Sequence, residues 1–177
     1  KDNKKFTGIE GNILSSGSTL VWLASILNCS VNQLADLATK SKNIVHLVPA
    51  FNGLGAPYWD DKATGTLTDL ALNTKSEDIA SAAIDSVAMQ VADLVEELNI
   101  SGIDVMQLWV DGGATTNKDL LQRIANFSGV EVIPSTVPEL SALGAAYLAG
   151  LTIGFWSQAD LDKFVTQNEP IICLLDD

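Results

Sequence analysis

The sequence predicts an α/β domain in which strands pair in parallel beneath covering helices, and three observations carry that reading. The apolar run Met106, Gln107, Leu108, Trp109, Val110 meets the turn Asp111, Gly112, Gly113, Ala114 and then Thr116, Asn117 and a helix-like stretch. That order reads as strand, glycine turn, helix. Beyond it the hydrophobic period switches from helical to extended and back, which implies strands and helices in layers. Finally, 177 residues with 47% hydrophobic and 18% charged side chains suffice for one well-cored domain over 1–177.

Taken in order, Lys1 to Lys5 are polar, Ile9 to Leu14 read as a short extended segment, and Ser15, Ser16, Gly17, Ser18 form a loop into a helix. Leu20, Leu23, Ala24 and Leu27 recur at helical spacing, with Ser18 or Thr19 as the N-cap and Asn28 as the stop. A second helix is expected from Val31 to Lys40. Val45 to Phe51 is an apolar strand entering a rigid loop at Pro49, Gly53, Gly55 and Pro57, where Tyr58 and Trp59 either line a pocket or close over the core. Thr66 to Leu72 is a further strand. The clearest helix starts with Ser76 as cap and Glu77 and Asp78 in its first turn, where acids suit the dipole, and runs to Leu98. Its stripe Ile79, Ala83, Val87, Val91, Leu94, Leu98, widened by Ile84, Ala88 and Val95, predicts burial on a broad face. Asp85 interrupts that face and requires a partner. After the glycine turn come a helix from Asn117 to Phe127, a strand from Val130 to Pro134, helices near Glu139 to Leu151 and Ser157 to Phe164, and an extended close at Ile171 to Leu175.

Composition excludes several functions. A net charge of −12, from 10 basic against 22 acidic residues, repels nucleic acid and anionic membranes. The uncharged run Leu140 to Trp156 is too short to span a bilayer, which needs roughly 20 apolar residues. Its small residues Ala142, Gly144, Ala145, Ala146 and Ala149 instead predict a helix packed tightly in the core. Cys29 and Cys173 have no metal-ligand spacing and no signal-peptide pattern before them, so both are expected as buried or half-buried thiols in a reducing cytoplasm. His46, the only histidine, sits among Ile44, Val45, Leu47 and Val48, a structural rather than a catalytic setting.

The glycine turn points to phosphate. Adjacent glycines let backbone approach a ligand closely, and the first amides of a helix offer free N–H groups and a positive dipole end. Asp111 at the strand end can orient a hydrated magnesium ion. The same three residues also make an ordinary tight turn.

The flanking segments separate these alternatives. Phe51, Asn52, Gly53, Leu54, Gly55, Ala56, Pro57, Tyr58, Trp59, Asp60 and Ala142, Leu143, Gly144, Ala145, Ala146, Tyr147, Leu148, Ala149, Gly150 through Gly154, Phe155, Trp156 bracket the turn. Together with it they resemble the C-terminal domain of the FGGY carbohydrate kinases, most closely the glycerol kinase branch, over nearly all of Ile9 to Leu161. The resemblance implies an actin-like ATPase (ribonuclease-H-like) fold, a mixed sheet flanked by helices that lacks its first strands. It implies a cleft that closes on ATP and a polyol or sugar against a separate N-terminal domain, in a cytoplasmic enzyme. The residues it marks for the nucleotide are Gly17, Asp111, Gly112, Gly113 and Asn117, with Thr115 and Thr116 as supplements. Asparagine offers both a donor and an acceptor, and glycine presents no Cβ to a phosphate or base.

The chain departs from the family at Val21, where a glutamine is common, after Leu70 or Ala71, where an arginine is absent, and at the short Asp85. These departures widen the acceptor to other polyols or sugars such as xylulose or gluconate, although the Gly53 to Asp60 segment favours glycerol. The resemblance places the general-base aspartate, the polyol-gripping residues and a threonine-glycine phosphate loop upstream, so no catalytic residue and no protein metal ligand is expected here and the isolated chain is expected to be inactive. Two other readings stand beside this one: a non-catalytic actin-like association module, self-associating as a homo-oligomer through exposed apolar surface, and a nucleotide sensor.

Overall fold

The computed structural model describes residues 7–137, 139–164 and 168–175. Helix α1 (Gly17–Ile26) starts before the expected caps. Ser16 takes the N-cap position, while Thr19, inside the helix, donates its hydroxyl back to the Ser15 carbonyl at 3.1 Å. Helix α2 (Val31–Ala38) opens on a capping box: Ser30 N–H donates to the Gln33 side chain at 2.8 Å, and the Ser30 hydroxyl accepts from Gln33 N–H at 3.3 Å. The segment from Ile9 to Leu14 is irregular, not a strand, and the Ala56 N–H ties it to the following loop by donating to the Asn12 carbonyl at 3.0 Å.

Strands β1 (His46–Val48) and β2 (Thr66–Thr68) pair antiparallel with Leu47 opposite Leu67. Both are shorter than their apolar runs. Pro49 has no N–H to continue the ladder, and Asp69 turns the chain with φ of +61°. Helix α3 (Ser76–Ile100) is capped differently from expectation, because the Ser76 hydroxyl is drawn to the Glu77 carboxylate at 2.9 Å. Asp78 takes over that end, accepting Lys75 N–H at 2.9 Å. It also accepts the Lys42 and Asn43 N–H groups, the Ser41 hydroxyl and the Asn43 amide. The Asn43 amide first, then the backbone amides of Lys42, Lys75 and Asn43, hold the Asp78 carboxyl well below the usual carboxylate range.

Strand β3 (Gln107–Val110) runs parallel to β4 (Glu131–Pro134), Leu108 beside Val132, and helix α4 (Lys118–Ser128) makes the crossover. Gly129, left-handed at φ +70°, stops α4. Ile171 adds an antiparallel bridge to Val132. Parallel and antiparallel pairing thus both occur, divided among the described residues between two small sheets.

The core forms around α3. Its Ala80, Ala83, Ile84, Val87 and Ala88 pack against Leu20 and Leu23 of α1, Leu34 and Ala38 of α2, Leu47 of β1 and Leu120, Leu121 and Ile124 of α4. Each fully buried Leu, Ile or Val contributes about 1.5–3 kcal/mol. The broad buried face read from the sequence is found in part: Ala83, Ile84, Val87, Ala88 and Val95 are enclosed, Ile79, Val91, Leu94 and Leu98 are only half-buried, and Ala80 and Ala82 join the core from outside the stripe.

One expectation fails. Helix α5 (Leu140–Thr152) was expected to pack in the core, but Gly150 is its only buried residue among those described, and Leu148 is 68% exposed. Small residues permit close approach without supplying anything to approach. Here the Trp156 ring folds back onto Gly150, with Tyr147 edge-on to it at 5.6 Å and Phe164 of α6 (Gln158–Phe164) at 6.1 Å. Among the described residues no helix is long and apolar enough to cross a membrane.

Candidate functional site

Between the start of α1, the start of α2 and the turn after β3 lies a cleft of about 440 Å³, lined by Gly17, Leu20, Val21, Val31, Asn32, Gly113, Thr116 and Asn117. Three of the five residues marked in the sequence, Gly17, Gly113 and Asn117, converge on it from two distant segments. Each is set there by local structure. Gly17 is the first residue of α1, Gly113 opens a 3-10 turn (Gly113–Thr116), and Asn117 is the N-cap of α4.

The two glycines on the cleft share a property. A Cβ at Gly17 or at Gly113 would meet no atom of the chain within 4 Å, and neither has the positive φ that demands glycine. The chain's own packing has no need of a bare backbone at either place. Gly112 differs: its φ of +92° is the bend that turns β3 toward α4, so its glycine is needed for the fold. It faces a second cavity of about 650 Å³, on the side of the turn where Lys118, Ser135 and Asn168 lie.

Asn117 is partly committed. Its Oδ1 accepts Leu120 N–H at 3.1 Å as the helix cap, so its amide NH₂ is what the side chain principally presents to the cleft. Asp111 does not line the cleft. It is exposed, and its Oδ2 accepts Leu140 N–H at 3.1 Å, tying the end of β3 to the start of α5. Of the supplementary threonines, Thr116 lines the cleft and donates its hydroxyl to the Gly113 carbonyl at 3.0 Å, bracing the turn. The Thr115 side chain lies outside the described residues.

The sequence reading missed Val31 and Asn32. The sequence placed the start of this helix at Val31, but no local signal told that it would fold beside the glycine turn. Leu20, Val21 and Val31 give the cleft an apolar wall, and the carboxamides of Asn32 and Asn117 give it hydrogen-bonding capacity. Such a wall suits a flat heterocycle. The helix start beside the glycine turn suits an anion.

Outside the cleft's lining, Arg123 of α4 joins α3. Its Nη1 donates to Asp85 Oδ1 at 2.7 Å and to the Ser81 hydroxyl at 2.8 Å, while Nη2 and Nε reach Asp119 Oδ2, each at 3.0 Å. This supplies the partner Asp85 required. Burial disfavours the guanidinium's charge, but the hydrogen bonds it donates to Asp85 and Asp119 outweigh that and raise the Arg123 pKa above its usual value. His46 stands exposed on β1, 3.9 Å from Asp69, away from the cleft. Trp59 is 70% exposed and lines a small apolar cleft with Pro57 and Leu94, while Tyr58 donates to Asp93 at 2.9 Å, so neither ring closes over the core.

Known proteins resemble this chain in sequence and in fold. Residues 1–153 match the FGGY family of carbohydrate kinases, C-terminal domain. The glycerol kinase of Streptococcus uberis is 40% identical over 173 residues, covering 95% of this chain and 34% of that protein. The solved glycerol kinase of Plasmodium falciparum with ADP superposes with a TM-score of 0.81 at 29% identity, over 93% of this chain and 34% of that one. Gluconate kinase from Lactobacillus acidophilus reaches 0.80 at 19% identity, over 92% and 35%, a likeness of fold alone. The chain spans about a third of the length of the curated relatives it matches. With the actin-like ATPase fold of these neighbours and a family match over most of its length, the chain belongs to the FGGY family of carbohydrate kinases, as their C-terminal domain.

Proposed function

We propose that this chain is the ATP-binding half of a glycerol kinase-like enzyme, which moves the γ-phosphoryl group of ATP to a glycerol hydroxyl to give glycerol 3-phosphate. The observation that carries the reading is the pair Gly17 and Gly113. Two glycines that the fold does not need, brought from distant segments to one cleft, are explained by a ligand that must touch backbone. The base lies against Leu20, Val21 and Val31, the Asn117 NH₂ reaches the adenosine end, and the turn amides meet the phosphates. The ADP-bound Plasmodium falciparum relative supports the same assignment.

Magnesium fits as a nucleotide-borne ion. Among the described residues no three His, Cys, Asp or Glu side chains gather to hold a metal, whereas Mg²⁺ commonly keeps its waters and binds phosphates with one or two carboxylates. Asp111, at the end of β3 and outside the cleft's lining, would meet such an ion through the ion's own waters. Bound there, the ion would offset phosphate charge, which matters for a chain of net charge −12.

Phosphoryl transfer depends on positioning and on stabilising the transferred group's charge. The sequence has a single arginine, Arg123, and two carboxylates occupy it. The resemblance to the family assigns the base and the other groups for the transfer to a separate N-terminal domain, within the further length that the relatives have, and the enzyme works in the cytoplasm. On this reading the isolated chain does not carry out the transfer.

The test is ATP- and magnesium-dependent phosphorylation by the complete gene product across glycerol, xylulose, gluconate and related acceptors, beside a nucleotide titration. Glycerol turnover supports the proposal. Turnover of another acceptor replaces the substrate and keeps the site. No turnover and no nucleotide binding sinks it in favour of an association module, a reading for which the exposed apolar side chains Leu148, Ile153 and Phe155 speak.

A further inference from the structure

Arg123 does not line the nucleotide cleft; with Ser81, Asp85 and Asp119 it lines a separate cavity of about 600 Å³, and its bonds have a specific geometry. On α3 it grips Ser81 and Asp85, one helical turn apart; on α4 its partner Asp119 is one turn from Arg123 itself. A planar guanidinium held at both edges defines rotation as well as distance, which a lone ammonium would not. Both helices are buried where they meet, Ala80, Ala83, Ile84 and Val87 on α3 and Leu120, Leu121 and Ala125 on α4, and apolar contacts of this kind fix distance more than rotation. Helix α4 is the side whose orientation matters. Asp119 lies in its first turn, directly after Asn117 and Lys118, and the Asn117 Oδ1 is locked to Leu120 N–H, so the direction of the Asn117 NH₂ follows the rotation of the helix.

We propose that Arg123 is a positioning residue for the nucleotide, setting the rotation of α4 against α3 and so the placement of Asn117 and Thr116 along the cleft. This rests on the nucleotide reading above. The residue touches no ligand. Its effect reaches the site through Asp119 and the first turn of α4, where a displacement of a fraction of a helix radius moves the Asn117 amide out of hydrogen-bonding range.

The test compares Arg123→Gln with Ile124→Val in the complete gene product. The second variant truncates a buried side chain of the same helix and leaves the clamp intact. Mg·ADP affinity is measured by titration well below each variant's Tm. Arg123→Gln is expected to raise the Kd about tenfold, Ile124→Val to lower Tm with an unchanged Kd, and Arg123→Lys to recover part of the affinity through a single carboxylate. Affinity unchanged in Arg123→Gln overturns the proposal, as does an equal loss in Ile124→Val. If the unsubstituted protein itself fails to bind Mg·ADP, the nucleotide reading falls and this proposal with it. Binding by that protein with an unaffected Arg123→Gln removes only the positioning role.

Discussion

Helices α3 and α5 are both rich in alanine and aliphatic side chains, and they end in opposite environments. Helix α3 carries acids at both ends and along one side, yet it forms the middle of the core, with Ala80, Ala83 and Ile84 at 0% exposure. Helix α5 has no charge within it and is open along most of its length. Apolar content states how much a helix gains from burial; it does not say whether a partner is present. Helix α3 meets α1, α2, α4 and β1, while α5 meets the ring of Trp156.

The contrast can be attacked from its strongest side. Ile84→Ala empties a fully enclosed site, and such truncations cost about 2–5 kcal/mol; chemical denaturation of the complete gene product measures it. A loss below about 1 kcal/mol would mean that the interior around α3 is loosely packed.

At the border between the two regions lies the glycine turn, where fold and function separate cleanly. Gly113→Ala adds a methyl group that no atom of the chain obstructs, so Tm should stay near that of the unsubstituted protein. Nucleotide affinity should fall about tenfold or more, because backbone can no longer come close. Gly112→Ala, at φ +92°, should lower Tm as well. Equal behaviour of the two variants would break the distinction between a glycine for the ligand and a glycine for the bend.

A third measurement follows pH at the start of α3. Because five donors favour ionised Asp78, its folded-state pKa is depressed. Its stabilisation is fully present above the unfolded value of about 3.9 and is lost as pH falls toward the folded value. Asp78→Asn should therefore be less stable at neutral pH, with the gap to the unsubstituted protein narrowing below about pH 4. A gap that stays constant across that range would show that the carboxylate's charge is not what holds loop 41–43 to α3.

The smallest effect should come from α5. Leu148→Ala removes an exposed side chain and should change stability by no more than about 0.5 kcal/mol. A larger loss in the complete gene product, together with a small one in the isolated chain, would show that α5 is covered by something this chain does not contain.

Much of this was legible in the amino acids alone. The α3 stripe, the strand–turn–helix of β3 and α4, the Gly129 stop and the need of Asp85 for a partner all follow from local periodicity, backbone preference and the cost of an unpaired charge. The resemblance to the family singled out Gly17, Gly113 and Asn117, which the fold brings to one cleft. The lengths of β1 and β2 were not legible, since they depend on where pairing ends and not on where apolar residues end. Val31 and Asn32 enter the cleft only because α2 folds beside the turn, a long-range event without local signature. Arg123 as the partner of Asp85, the turning of Asp111 toward α5 and the exposure of α5 were decided by tertiary structure for the same reason. Side-chain chemistry specifies what each residue requires, and only the packing of distant segments settles which requirement is met and by whom.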